Sequence, residues 1–63
     1  MLIIKKRLLS VKDASEYLSI SRSKLYQWLK KRKIPSVRID GRRLLDVRDL
    51  DQFVEDLKMQ NLN

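Results

Sequence analysis

The chain has a single proline and a single glycine, Pro35 and Gly41, and these two punctuation marks sit close together in its middle. Their placement constrains the fold more than any other feature. Everything before Ile34 and after Arg42 is free of strong helix breakers, whereas the short stretch between is committed to extended chain and a reversal. Proline cannot donate to a helical ladder and pushes the residue before it, Ile34, out of the α region. Asp40-Gly41 is the favoured pair for a two-residue hairpin reversal, which needs positive φ at both positions. Val37-Arg38-Ile39 alternates apolar and polar ahead of that turn, and residues 42–45 supply the return strand.

Helical periodicity flanks this hairpin. Ser10 is followed by Asp13 in the manner of a capping box, which predicts a helix starting at Val11. Val11, Ala14 and Leu18 recur at spacings of three and four with Tyr17 on the flank, leaving Lys12, Asp13 and Glu16 to solvent. Ser19-Ile20-Ser21 breaks the pattern after about two turns, and Ser21 offers its hydroxyl as a second cap to an amide near Ser23 or Lys24. A second helix is expected from residue 22 to about residue 32, ended by Ile34-Pro35. Leu25 and Leu29 face inward beside Ile20 and Trp28, while Arg22, Ser23, Tyr26, Gln27, Lys30 and Lys31 point away. Asp46 caps a third helix with Asp49 at its third position. Its apolar stripe is Val47, Leu50, Phe53, Val54 and Leu57, opposed by Asp51, Gln52, Glu55 and Asp56. Residues 1–7 read as a basic arm and residues 60–63 as a frayed tail. The expectation is one domain over residues 1–63, mainly α with a small β-hairpin: helix, turn, helix, hairpin wing, helix.

Charge narrows the function. Fifteen Lys and Arg against eight Asp and Glu give a net charge of +7, with a sequence pI near 10.2. That excess is localised. Residues 1–21 carry +2 and residues 46–63 carry −3, whereas residues 22–45 carry nine basic side chains against Asp40 alone. No acidic residue stands between Arg22 and Ile39. Unopposed charge of this density repels itself and calls for a polyanionic partner. With no histidine and no cysteine, disulfides, zinc ribbons, thiol nucleophiles and imidazole bases are excluded. No enzyme activity, metal or cofactor is expected, the carboxylates of residues 46–56 being explained as caps and a solvated face. The longest apolar run, Leu2-Ile3-Ile4, is too short for a membrane span or a signal core, so the expected setting is the bacterial or phage-infected cytoplasm, at the nucleoid.

An α-helix fits the major groove of B-form DNA, and in helix-turn-helix proteins the first residues of the second helix meet the base edges. Here those are Ser21 through Gln27. Arg22 suits the O6 and N7 of guanine, Gln27 suits adenine, and Ser23 can serve a base or a phosphate. Lys30 suits a phosphate, and Lys24 and Lys31 share its basic outer face. Tyr26 can pack an edge and still donate to phosphate. Arg38, Arg42 and Arg43 would lay the hairpin along the adjacent backbone or minor groove. Each feature has a plainer reading: the basic helix face as solvated surface, Trp28 as core, and the hairpin arginines as guards of a short edge ribbon.

Several segments carry a specific likeness: residues 8–14, LLSVKDA; Tyr17-Leu18; residues 20–26, ISRSKLY; Ile34-Pro35; and residues 37–42, VRIDGR, with Asp49-Leu50 and Phe53. Over residues 8–57 the sequence resembles the excisionase-like helix-turn-helix family, relatives of the MerR-type DNA-binding domain. The resemblance implies two helices, a hairpin wing and a third helix packed across them. It implies groove contacts at Arg22, Ser23, Lys24 and Tyr26, and wing contacts at Arg38, Arg42 and Arg43. Members commonly serve as recombination directionality factors that bind repeated sites side by side, bend DNA and assist an integrase, here expected to be a tyrosine integrase. Others are transcriptional regulators. The sequence departs from the family at Ser19, where glycine is usual and where serine in a left-handed conformation costs about 1 kcal/mol. MerR-type regulators add a dimerisation helix and an effector domain, for which 63 residues leave no room, so effector sensing is not expected. A small transcriptional regulator is the alternative, distinguished by the absence of a neighbouring integrase gene. An adaptor for an acidic protein or RNA is the remote one, disfavoured because the hairpin lacks the exposed aromatics of single-stranded RNA platforms.

Overall fold

The computed structural model describes residues 6–61. Six elements follow in order: β1 (Leu8–Ser10), α1 (Val11–Leu18), α2 (Arg22–Lys30), β2 (Val37–Ile39), β3 (Arg42–Asp46) and α3 (Val47–Gln60). This is a winged helix-turn-helix: three helices on a small antiparallel sheet of order β1-β3-β2.

The caps expected at the three helix starts form. The Ser10 hydroxyl accepts from the Asp13 amide at 3.1 Å, and Ser21 accepts from the Lys24 amide at 3.1 Å. Each satisfies one of the amides that a helix start leaves without a partner. The Asp46 carboxylate accepts from the Arg48 amide at 2.9 Å and opens α3 directly out of β3. Asp13 does not close a reciprocal box. Its carboxylate lies 3.9 Å from the Lys6 ammonium instead.

Both inner helices end in the same way. After α1, Ser19 is left-handed (φ 58, ψ 41); its amide donates to the Glu16 carbonyl and the Ile20 amide to the Ser15 carbonyl. After α2, Arg32 is left-handed (φ 56); its amide donates to the Leu29 carbonyl and the Lys33 amide to the Trp28 carbonyl. These paired bonds form the Schellman motif, in which one positive-φ residue lets the chain turn back and satisfy the last carbonyls. The second of them corrects the expected end of the helix. It is Arg32, and not the strain before Pro35, that terminates α2, which stops at Lys30.

The hairpin turns at Asp40 (φ 51) and Gly41 (φ 77), and Ile39 pairs directly with Arg42. Two positive φ values in a two-residue loop match the right-handed twist of the strands. β1 is an addition to the expected elements. Three residues are too few to show a period, and Leu8–Ser10 becomes a strand only through β3, with Leu8 opposite Asp46 and Ser10 opposite Leu44. The expected tail begins late: Gln60 closes α3, and the Asn61 amide donates to the Leu57 carbonyl at 3.0 Å. The arm is tied down where it is described, since the Arg7 guanidinium meets Asp46 at 3.1 Å and the Arg7 carbonyl accepts from the Val47 amide. The Leu2-Ile3-Ile4 run and the last two residues lie outside the described residues.

The core consists of Val11, Ala14, Leu25, Leu29, Ile34, Leu45 and Leu50, with Leu9, Leu18, Ile20, Trp28 and Phe53 packed around it. Leu25, Leu45 and Leu50 are fully buried, and each contributes about 1.5–3 kcal/mol relative to exposure. One leucine from α2, one from β3 and one from α3 thus join the sheet to the two helices. The single buried polar residue in this core region, Ser15, donates to the Lys12 carbonyl at 2.7 Å and leaves no unsatisfied group.

Candidate nucleic-acid interface

The frame holds the outer face of α2 clear of the body. Ser21, Arg22, Ser23, Lys24, Tyr26, Gln27, Lys30 and Lys31 are all exposed, while Leu25 and Leu29 on the opposite stripe are buried. Burying those two leucines therefore fixes which side chains look outward. Lys24 lies against an aromatic ring. Its ammonium sits 5.6 Å from the centre of the Trp28 ring, which in turn meets Phe53 of α3 with ring centroids 4.8 Å apart and tilted by 58°. Trp28 is half-buried edge packing, and its face supports a cation. Tyr26 keeps half of its surface in solvent, with 52% exposed.

The wing divides its arginines. Directly paired residues share a sheet face. Arg38 opposite Arg43, together with Leu9 opposite Leu45, forms the face that turns toward the core. Arg42 opposite Ile39 lies on the other face, with Val37 and Leu44. The three wing arginines expected to act as one set are therefore two on the helix side and one on the outer side. Parity along the strand decides this, because Arg42 and Arg43 are consecutive. The Arg43 Nε donates to Ser36 Oγ at 3.1 Å, which ties the guanidinium to the chain leading from α2 into the wing. There Arg43 and Ser36 line a crevice of about 330 Å³ with Leu29, Arg32, Ile34 and Pro35. Arg32 is the side chain that sequence reasoning missed. The run Lys30-Lys31-Arg32-Lys33 was the available signal, but a reading that kept residue 32 in the helix could not see where it points.

Among the described residues no basic side chain of residues 22–45 forms an ion pair. The ion pairs among the described residues are Lys6 with Asp13, Arg7 with Asp46 and Lys58 with Glu55, all outside residues 22–45. Two titrations are displaced, both away from α2. The Asp46 carboxyl is held below its ordinary value by the Arg48 amide and then by Arg7. The Tyr17 phenol is raised because it donates to Asp51, an interaction that ties α1 to α3. Among the described residues no group of three or more His, Cys, Asp or Glu side chains could hold a metal ion, and no helix is long and apolar enough to cross a membrane.

A short helix, a left-handed turn, a capped basic helix and a hairpin wing define a helix-turn-helix protein of the DNA-binding class. Comparison with known families agrees: the model of a helix-turn-helix domain family matches residues 8–58, and the chain belongs to that family. No curated protein and no solved structure matches the chain.

Proposed function

We propose that the protein is an excisionase-like architectural factor with a MerR-like wing, which binds specific double-stranded sites side by side, bends them and assists a tyrosine integrase in the recombination of a phage or mobile element. The observation that carries the DNA contact is the exposed basic face of α2, whose side chains form no ion pair among the described residues. In this reading α2 enters the major groove. Ser21 through Gln27 face the groove, with Arg22 and Gln27 reading base edges and Ser23, Lys24 and Tyr26 beside them, while Lys30 and Lys31 meet the backbone. Arg38 and Arg43 follow the neighbouring backbone or minor groove, while Arg42 lies on the other face of the hairpin. The protein supplies position and curvature and leaves the strand chemistry to its partner. The recombination role rests on the likeness of residues 8–57 to excisionases.

Footprinting on the attachment and promoter regions of the element that encodes the protein tests this directly. Repeated protected sites within the attachment region, a bend in circularly permuted fragments and stimulation of integrase-dependent excision are expected. Protection confined to one promoter operator, with no effect on excision, would replace this role with that of a transcriptional regulator.

A further inference from the structure

The crevice between the end of α2 and the base of the wing has the composition of a seat for one sugar-phosphate unit. Its lining combines the apolar Leu29, Ile34 and Pro35 with Arg32, Arg43 and Ser36. Arg43 is pre-aimed by its bond to Ser36, which uses Nε and leaves the terminal nitrogens to donate.

Arg32 is the informative residue. It occupies the left-handed position that ends α2 (φ 56), where glycine avoids a cost of about 1 kcal/mol. The other positive-φ residues apart from glycine, Ser19 and Asp40, have short polar side chains, and aspartate tolerates this region well. A long arginine there is strained backbone kept beside a charged crevice, and such strain points to a use for the side chain. The left-handed turn also carries residue 32 off the helical path and into the crevice that Arg43 lines.

We infer that Arg32 and Arg43 together clamp a single DNA backbone phosphate, with the attached deoxyribose resting on the exposed Pro35. The inference builds on the DNA-binding role proposed above. It adds a contact at the junction of helix and wing that fixes how far the duplex can roll between them. Because phosphate carries no sequence information, the clamp acts equally on cognate and random DNA.

Fluorescence anisotropy with a random-sequence duplex, titrated across salt concentrations, tests it with the intact chain and the variants Arg32→Gly, Arg43→Ala and the double. Arg32→Gly is the decisive variant, since glycine suits the left-handed turn. Its melting temperature should equal or exceed that of the wild type, while affinity falls several-fold and the slope of log K against log salt becomes less negative by about 0.9. Arg43→Ala should give a similar change. The double variant should lose little more than either single, because both guanidiniums serve one phosphate. Wild-type affinity and slope in Arg32→Gly would overturn the clamp, as would fully additive losses in the double. A wild-type protein that binds no duplex at all would instead overturn the DNA-binding role, and the clamp with it.

Discussion

Ser19 and Ser21 stand two residues apart and do opposite things to the backbone. Ser21 is extended and caps α2, whereas Ser19 is left-handed and ends α1. The hydroxyl of Ser21 recovers an amide that would otherwise have no partner, but nothing comparable offsets the backbone cost at Ser19. Ser19→Gly should therefore stabilise the fold by about 1 kcal/mol, read as a raised urea midpoint at constant m-value. An unchanged or lowered midpoint would show that serine is at ease in the turn. The exposed face of α2 divides at the same scale. Arg22→Ala should weaken a cognate site by about 1–3 kcal/mol more than random DNA, and Lys30→Ala should weaken both alike. Equal losses for the two variants in a competition assay would show the reading residues to be assigned wrongly.

Among the elements, α3 depends most on a single titratable group. Asp46 caps its first turn and also holds Arg7, and both interactions favour the ionised form. The folded carboxyl thus has a pKa below its unfolded value. Its contribution to stability is complete above the ordinary aspartate value of 3.8 and disappears as pH falls through the lower folded value. Asp46→Asn keeps an acceptor for the Arg48 amide but cannot titrate. Its urea midpoint should lie below the wild type at pH 7 and drop less between pH 5 and pH 2, whereas parallel profiles would place the acid sensitivity elsewhere. The hairpin has a different dependence. Gly41 has open space around its α-carbon but holds φ 77, so Gly41→Ala should cost about 1 kcal/mol through backbone strain alone. The same urea titrations would measure it, and a neutral result would mean that the turn relaxes to another form.

At the scale of the molecule, stability and binding are built from opposite faces of the same helix. Leu25 and Leu29 are spent on the core, and that burial is what presents the basic stripe outward. Leu45 joins the sheet to the helices through this core. Leu45→Ala should cost about 2–5 kcal/mol, enough to threaten folding in so small a domain, and a loss below 1 kcal/mol by denaturant titration would contradict the assigned packing. For the charged surface, contact with about six phosphates would give a slope of log K against log salt near −5. A slope near zero for the wild-type protein would remove the electrostatic basis of the interface.

The order of residues along the chain determined, by itself, whatever depends on near neighbours. Caps at Ser10, Ser21 and Asp46 work within three residues, the Asp40-Gly41 turn within four, and the apolar stripes repeat within each helix. From these came the order of the helices and the hairpin, the inward and outward faces of α2 and α3, and the concentration of charge between residues 22 and 45. Folding alone decided what depends on distant partners. Leu8–Ser10 is a strand because β3 lies beside it; its own three residues carry no such signal. Arg38 and Arg43 face the helices while Arg42 faces away, because the strand pairing sets the parity of the wing. Arg32 leaves the helix and lines the same crevice as Arg43 because its left-handed turn lets Ile34 reach the core, a long-range gain that outweighs the local cost of an arginine at positive φ.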